Sequence, residues 1–115
     1  MSKPIILDVD CAANAVLAKQ WLEQDGSGAM KAFDGTGDAK GVAVSDKNVS
    51  NHVGMVKQAL IKLIAIAATY NVGDSLEIDA TGQALQALSL GTKVGEAAET
   101  LVLSADGELL VYMNV

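Results

Sequence analysis

A seven-residue stretch, Leu22-Glu23-Gln24-Asp25-Gly26-Ser27-Gly28, returns 54 positions later as Leu76-Glu77-Ile78-Asp79-Ala80-Thr81-Gly82. At the same spacing and without a gap, Gly37 falls on Gly91, Gly41 on Gly95 and Ala43 on Ala97, while Met55-Val56 falls on Leu109-Leu110. One short match is easily met in a chain rich in Gly and Ala. Several glycines held at one offset are not. Two units joined once are too few for a solenoid, which needs three or more. They predict one domain with a pseudo-twofold internal duplication, whose halves share a core.

Each unit reads mainly as strand. Ser75-Leu76-Glu77-Ile78-Asp79 alternates polar and apolar with period two and then meets a Gly-containing turn. Glu99 to Ser104 ends at Ala105-Asp106-Gly107, an Asp-Gly pair that predicts a tight hairpin with Leu109 to Met113 as the return strand. Two segments are less determined. Residues 12–24 lack Gly and Pro and are rich in helix formers, so helix and strand both stay open. Residues 53–68 are nearly continuous in apolar character, which periodicity cannot assign. There the repeat lays Met55 to Ile61 over the closing strand and predicts strand.

Gly35 to Gly41 predicts a hairpin loop, and Ser45 to Asn51 a second loop. Residues 1–10 precede the repeat and predict an extended N-terminal arm, whose Pro4-Ile5-Ile6-Leu7 strip is expected to be ordered by a neighbour. Residues 11–115 then form a single β-rich domain with weak repeats at 18–61 and 72–115. The fold class expected is mainly β, a small barrel or sandwich.

Composition bears on partners. Half of the 115 residues are hydrophobic but only 3% are aromatic, so the core must be built from Ala, Val, Leu and Ile. At about 25 cal/mol per Å² of buried apolar surface, such a core leaves a thin margin over chain entropy. Self-association adds burial without lengthening the chain. The net charge is −6 and all eight basic residues are Lys, which disfavours nucleic acid as a partner. The longest apolar run, Leu63 to Ala68, falls far short of the roughly 20 residues of a membrane helix. The first residues are too short in apolar character for a secretory signal, so synthesis in a cytoplasm is expected. One cysteine excludes an intrachain disulfide.

Candidate chemistry is sparse. Ile5-Ile6-Leu7-Asp8-Val9-Asp10 looks like the strand that carries two acids in aspartate-based phosphatases, but Ala12 stands where a hydroxyl residue belongs. The Gly35-to-Gly41 loop has the glycines of a phosphate cradle, yet a short strand rather than a helix follows it. Asp34 and Asp38 flank glycines, but a calcium loop beginning at Asp34 would need Glu at its twelfth position, and Ser45 is there. Cys11 and His52 are the only thiol and imidazole, too few for a metal cluster. A Cys11–His52 nucleophilic pair is the one catalytic arrangement left open, as a small hydrolase. Asn48-Val49-Ser50 is a glycosylation sequon, and Trp21 reads as a core or interface anchor. The expectation is a protein without catalytic, cofactor-binding or metal residues, and not an enzyme.

The second half carries a family pattern: Val72-Gly73-Asp74-Ser75-Leu76, then Asp79-Ala80-Thr81-Gly82, then Val94-Gly95-Glu96-Ala97, then Asp106-Gly107-Glu108-Leu109-Leu110-Val111. It resembles the head decoration (capsid cement) proteins of tailed bacteriophages over residues 64 to 115, with an echo from 18 to 61. The first unit has Lys19-Gln20 where the second has Gly73-Asp74. The resemblance implies a β-domain on the capsid exterior of a virion, bound to the major capsid protein and often trimeric. It implies no cofactor and no catalytic residue. A rival from another class is a biotinyl- or lipoyl-type carrier module, for which Met30-Lys31-Ala32 would have to present its Lys at a hairpin tip.

Overall fold

The computed structural model describes residues 5–35 and 37–115, and every regular element among them is a strand. The first unit holds β1 (Ile6–Asp10), β2 (Trp21–Gln24), β3 (Met30–Ala32), β4 (Gly41–Ala43) and β5 (His52–Val56). The second holds β6 (Gln58–Ala65), β7 (Ala68–Tyr70), β8 (Ser75–Ile78), β9 (Leu85–Ala87), β10 (Gly95–Ala97), β11 (Leu101–Leu103) and β12 (Gly107–Asn114). In the first unit the sheet order is β1-β5-β4-β2-β3. In the second it is β6-β12-β10-β8-β9, and a parallel bridge between Ala65 and Leu85 joins β9 back to β6 and closes a barrel. The two orders correspond strand for strand. Only the closure and the β7–β11 ribbon are peculiar to the second unit.

Register confirms the duplication and shows where it slips. Leu22 lies opposite Gly41, and 54 residues later Leu76 lies opposite Gly95. At the last strand the spacing lengthens by two: Ala43 faces Met55, whereas Ala97 faces Val111. Met55 thus corresponds to Val111 and not to Leu109. The inward set Val53 and Met55 becomes Leu109 and Val111, all buried, because a shift of two preserves which face each side chain takes.

The arm expected over residues 1–10 is corrected over its described part. Ile6 to Asp10 are extended, but they pair with β5 of their own chain, Ile6 opposite Val56 through Asp10 opposite His52. They are the counterpart of β6, since Leu60 opposite Tyr112 repeats Ile6 opposite Val56. The repeat therefore begins earlier than residue 18. The physical reason is the edge of β5, whose N–H and C=O groups need a partner strand. Residues 1–4 lie outside the described residues.

Residues 12–24 contain no helix. Ala12 (φ 49°) and Lys19 (φ 72°) take left-handed backbone, which a helix cannot contain. Tertiary partners replace the helical bonds: Asp46 Oδ1 accepts from Ala18 N, and Lys47 Nζ donates to the Ala12 and Asn14 carbonyls. The hairpin expected between Glu99–Ser104 and Leu109–Met113 does not form. β11 pairs with β7, and β12 pairs with β6 and β10, while Asp106 accepts from Ala67 N instead of closing its own turn. The Gly35-to-Gly41 loop is likewise no hairpin, because β2 lies between the two strands it connects.

The repeated heptapeptide ends in the same turn twice. Asp25 Oδ1 accepts from Ser27 N, Ser27 Oγ and Ala29 N. Asp79 Oδ1 accepts from Thr81 N, Thr81 Oγ1 and Ala84 N. Gly28 and Gly82 supply the positive φ, 91° and 86°. Asp25 N donates to Ala29 O and Asp79 N to Ala84 O, and the strands resume at Met30 and Leu85, so the second turn contains one extra residue, Gln83. Hydrogen bonds from Ser27 and then Asn14 hold the Asp25 carboxyl down at about 2, from an ordinary 3.8. A depressed carboxyl stabilises the fold above its unfolded value and loses that contribution as pH falls through the folded one. The β2–β3 turn is therefore expected to loosen between pH 3.8 and about 2, followed by amide shifts of Ser27 and Ala29.

Two cores sandwich the first sheet. Trp21, Val42 and Val56 turn one face toward the barrel interior residues Leu63, Leu76, Leu85, Leu109 and Val111. Their neighbours Leu22, Ala43 and Met55 turn the other way, into a smaller cluster with Cys11, Val16 and Val53.

Candidate functional site

Cys11 and His52 are adjacent in the fold but point apart. Cys11 is fully buried in the smaller core with Val53 and Met55. His52 lies opposite Asp10, on the other face of the sheet, with Nδ1 3.2 Å from both Asp8 carboxylate oxygens. Burial pushes the Cys11 thiol up, Lys47 partly opposes this, and Asp10 adds to it. A nucleophilic thiol needs the opposite shift. The geometry does not assemble the pair.

The other candidates are spent on structure. Asp8 and Asp10 are exposed on the edge strand β1, where Asp10 Oδ1 caps Ala12 N. Lys31 is at the centre of β3, directly across from Glu23, and not at a hairpin tip. Its Nζ lies 3.4 Å from Glu23 and 3.6 Å from Asp34, and those carboxylates, Glu23 first, raise its pKa. A carrier lysine has to be presented free. Asn48 uses its side chain to accept from Ser50 N, Ser50 Oγ and His52 N, so the sequon is a folded turn. Trp21 is 1% exposed and anchors the first sheet to the barrel. Among the described residues, no group of three or more His, Cys, Asp and Glu side chains is placed to hold a metal. No helix among them is long and apolar enough to cross a membrane.

Sequence reasoning missed a pair of buried carboxylates. Glu23 accepts from Asp34 N at 3.3 Å, and Glu77 accepts from Ser89 N at 2.6 Å, pinning the loops that leave β3 and its counterpart β9. Both are buried, a placement that requires such partners. The signal was present in the shared Leu-Glu pair at positions 22–23 and 76–77. Glu77 also borders a cavity of about 420 Å³ with Phe33, Asp38, Asp79, Lys93 and Val115, between the first unit's crossover loop and the barrel. Its carboxylates Glu77 and Asp79 already accept hydrogen bonds from their own chain.

What the surface does offer is apolar. Ile5, just before β1, and Ile6 and Leu7 within it are 77%, 59% and 41% exposed. A second strip, Leu60, Ile64 and Tyr112, covers the outer face of β6 and β12. Exposed apolar patches on a small protein mark contact surfaces for other macromolecules. Fold and surface define a duplicated small β-barrel domain with exposed apolar residues on β1 and on β6 and β12. Comparison with protein-family models gave no match, and comparison with curated proteins gave none either.

Proposed function

We propose that the chain is a structural virion protein that binds the outer surface of a tailed-phage capsid and cements the lattice of its major capsid protein, acting as a homotrimer and not as an enzyme. The observation that carries this reading is the convergence of the four resembling segments on one barrel. Gly73 N donates to Ala97 O, and Ala97 N donates to Asp74 O, so the first and third segments are stitched together. Gly95 lies against the Tyr112 carbonyl, where a Cβ would collide, so the third segment packs closely on β12, the strand that carries the fourth. The Asp79–Gly82 turn leads out of β8 between them. Segments scattered over forty residues of sequence thus behave as one structural signature. The exposed strips on β1 and β6–β12 suit contact with a protein shell, and three linked copies would let each contact be weak.

Purified capsids lacking the protein provide the test. The full chain is expected to co-sediment with them to a saturating stoichiometry set by the lattice and to raise their heat resistance. No binding to the capsids of its source phage at any concentration would reject the reading.

A further inference from the structure

At one place the two units hold equivalent residues by different means. In the second unit β7 and β11 form a two-stranded ribbon, with Tyr70 opposite Leu101. The residues 54 positions earlier are Val16 and Lys47. There Lys47 N donates to Val16 O at 3.0 Å, but neither residue lies in a strand. Side chains replace the missing ladder. Lys47 Nζ donates to the Ala12 and Asn14 carbonyls at 3.2 and 2.6 Å. Asn14 Nδ2 donates to Asp25 Oδ2 at 2.8 Å and to Met30 O at 3.1 Å. Asp46 Oδ1 accepts from Ala18 N, and Gln20 Oε1 accepts from Leu17 N. Residues 12–19 are thus tied down as a strap across the smaller core.

The strap is thinly anchored. Val16 is its one buried residue, while Leu17 beside it is 58% exposed. Ala12 and Lys19, at its two ends, hold left-handed backbone at φ 49° and 72° although both carry a Cβ. That strain is relieved when the strap leaves its place. Beneath it lie Cys11, Leu22, Ala43, Val53 and Met55, all buried. The first sheet is laddered by its own backbone through β1, β5, β4, β2 and β3 and takes no strand from the strap. One apolar anchor, exposed hydrogen bonds and strained ends place a segment at the low end of local stability.

We propose that residues 12–19 are a hinged strap that swings off the smaller core about Ala12 and Lys19, baring the Cys11 thiol and the Val53–Met55 face while the first sheet and the barrel stay formed. Lys47 and Asn14 are its latches. Cys11 serves only as the reporter: fully buried when the strap is closed, it meets solvent when the strap opens. The motion belongs to the isolated chain and is independent of any shell.

Labelling of Cys11 by N-ethylmaleimide in the full native chain, read by intact mass over a urea series below the unfolding transition, is the measurement. A strap that opens alone exposes little surface, so the wild-type rate should barely change with urea at low concentrations. It should also exceed, by about tenfold or more, the rate that the global unfolding constant allows. Lys47→Met keeps the aliphatic stem and removes the latch, and it should raise the rate about tenfold with the same shallow slope. Asn14→Ala should act in the same direction, and it stands in if Lys47→Met does not fold. Labelling that tracks global unfolding at every urea concentration overturns the proposal. So does a rate that neither latch variant changes.

Discussion

Gly82→Ala is expected to cost about 3–5 kcal/mol of stability, and Gly28→Ala, at the equivalent turn of the first unit, only about 1–2 kcal/mol. Both glycines hold left-handed backbone, at 86° and 91°, so both variants incur the same steric cost of a Cβ at positive φ. Their surroundings differ. Around Gly28 nothing lies within 4 Å of the added carbon. At Gly82 it would meet Phe33 O at 2.5 Å, Gly35 N at 2.6 Å and the Asp34 carbonyl carbon at 2.8 Å. All three are backbone atoms of the first unit, so no rotamer change relieves the clash, and the two units must move apart. Urea unfolding of the pair measures the difference. Equal losses would mean that the turn's approach to residues 33–35 is dispensable.

Gln83→Ala is expected to cost about 2–4 kcal/mol, from unmet polar groups rather than lost packing. The Gln83 side chain accepts from Trp21 N at 3.0 Å and donates to Phe33 O at 2.7 Å and Trp21 O at 3.3 Å. It thus acts as one more rung against the β2–β3 ribbon, supplied from the other unit. Removing it takes the partner from Trp21 N and Phe33 O beside the core, while Trp21 O keeps its bond from Phe33 N. Deleting Gln83 makes the two turns equal in length, yet it should uncouple the units just as strongly. Trp21 is the sole tryptophan and 1% exposed, so its emission reports the event directly. Retention of the wild-type unfolding midpoint and emission by both variants would refute this role. The residue that breaks the repeat is the residue that joins its halves.

Much of the architecture was legible because it rests on local chemistry. The alternation in Ser75–Asp79, the Asx turns at Asp25 and Asp79 and the positive-φ glycines after them are consequences of nearest neighbours, and they recur wherever the heptapeptide recurs. Residues 53–68 are strand as expected, but Met55 to Ile61 is not one strand: β5 ends at Val56, β6 starts at Gln58, and the two belong to different sheets. Where local preference competed with distant partners, it lost. Residues 12–20 have helical composition, but Asp46 and Lys47 hold them as a loop over Val16 and Cys11. The Asp106-Gly107 pair closes no hairpin, because Asp106 accepts from Ala67 N and the flanking strands go to different sheets.

The candidate residues divide along the same line. That Cys11 would be a buried structural thiol was readable from its apolar surroundings in sequence. That Lys31 is held by Glu23 and Asp34, and that His52 is turned away from Cys11 toward Asp8, depends on register, which no local pattern contains. By itself the sequence determined that the chain is a duplicated β-domain, with its turns and its acidic, lightly aromatic make-up. Only the tertiary structure decided that one copy closes into a barrel while the other stays open. Strand closure is a non-local hydrogen-bonding event, and it takes place where Leu85 reaches Ala65, a pairing that the nineteen intervening residues leave unspecified.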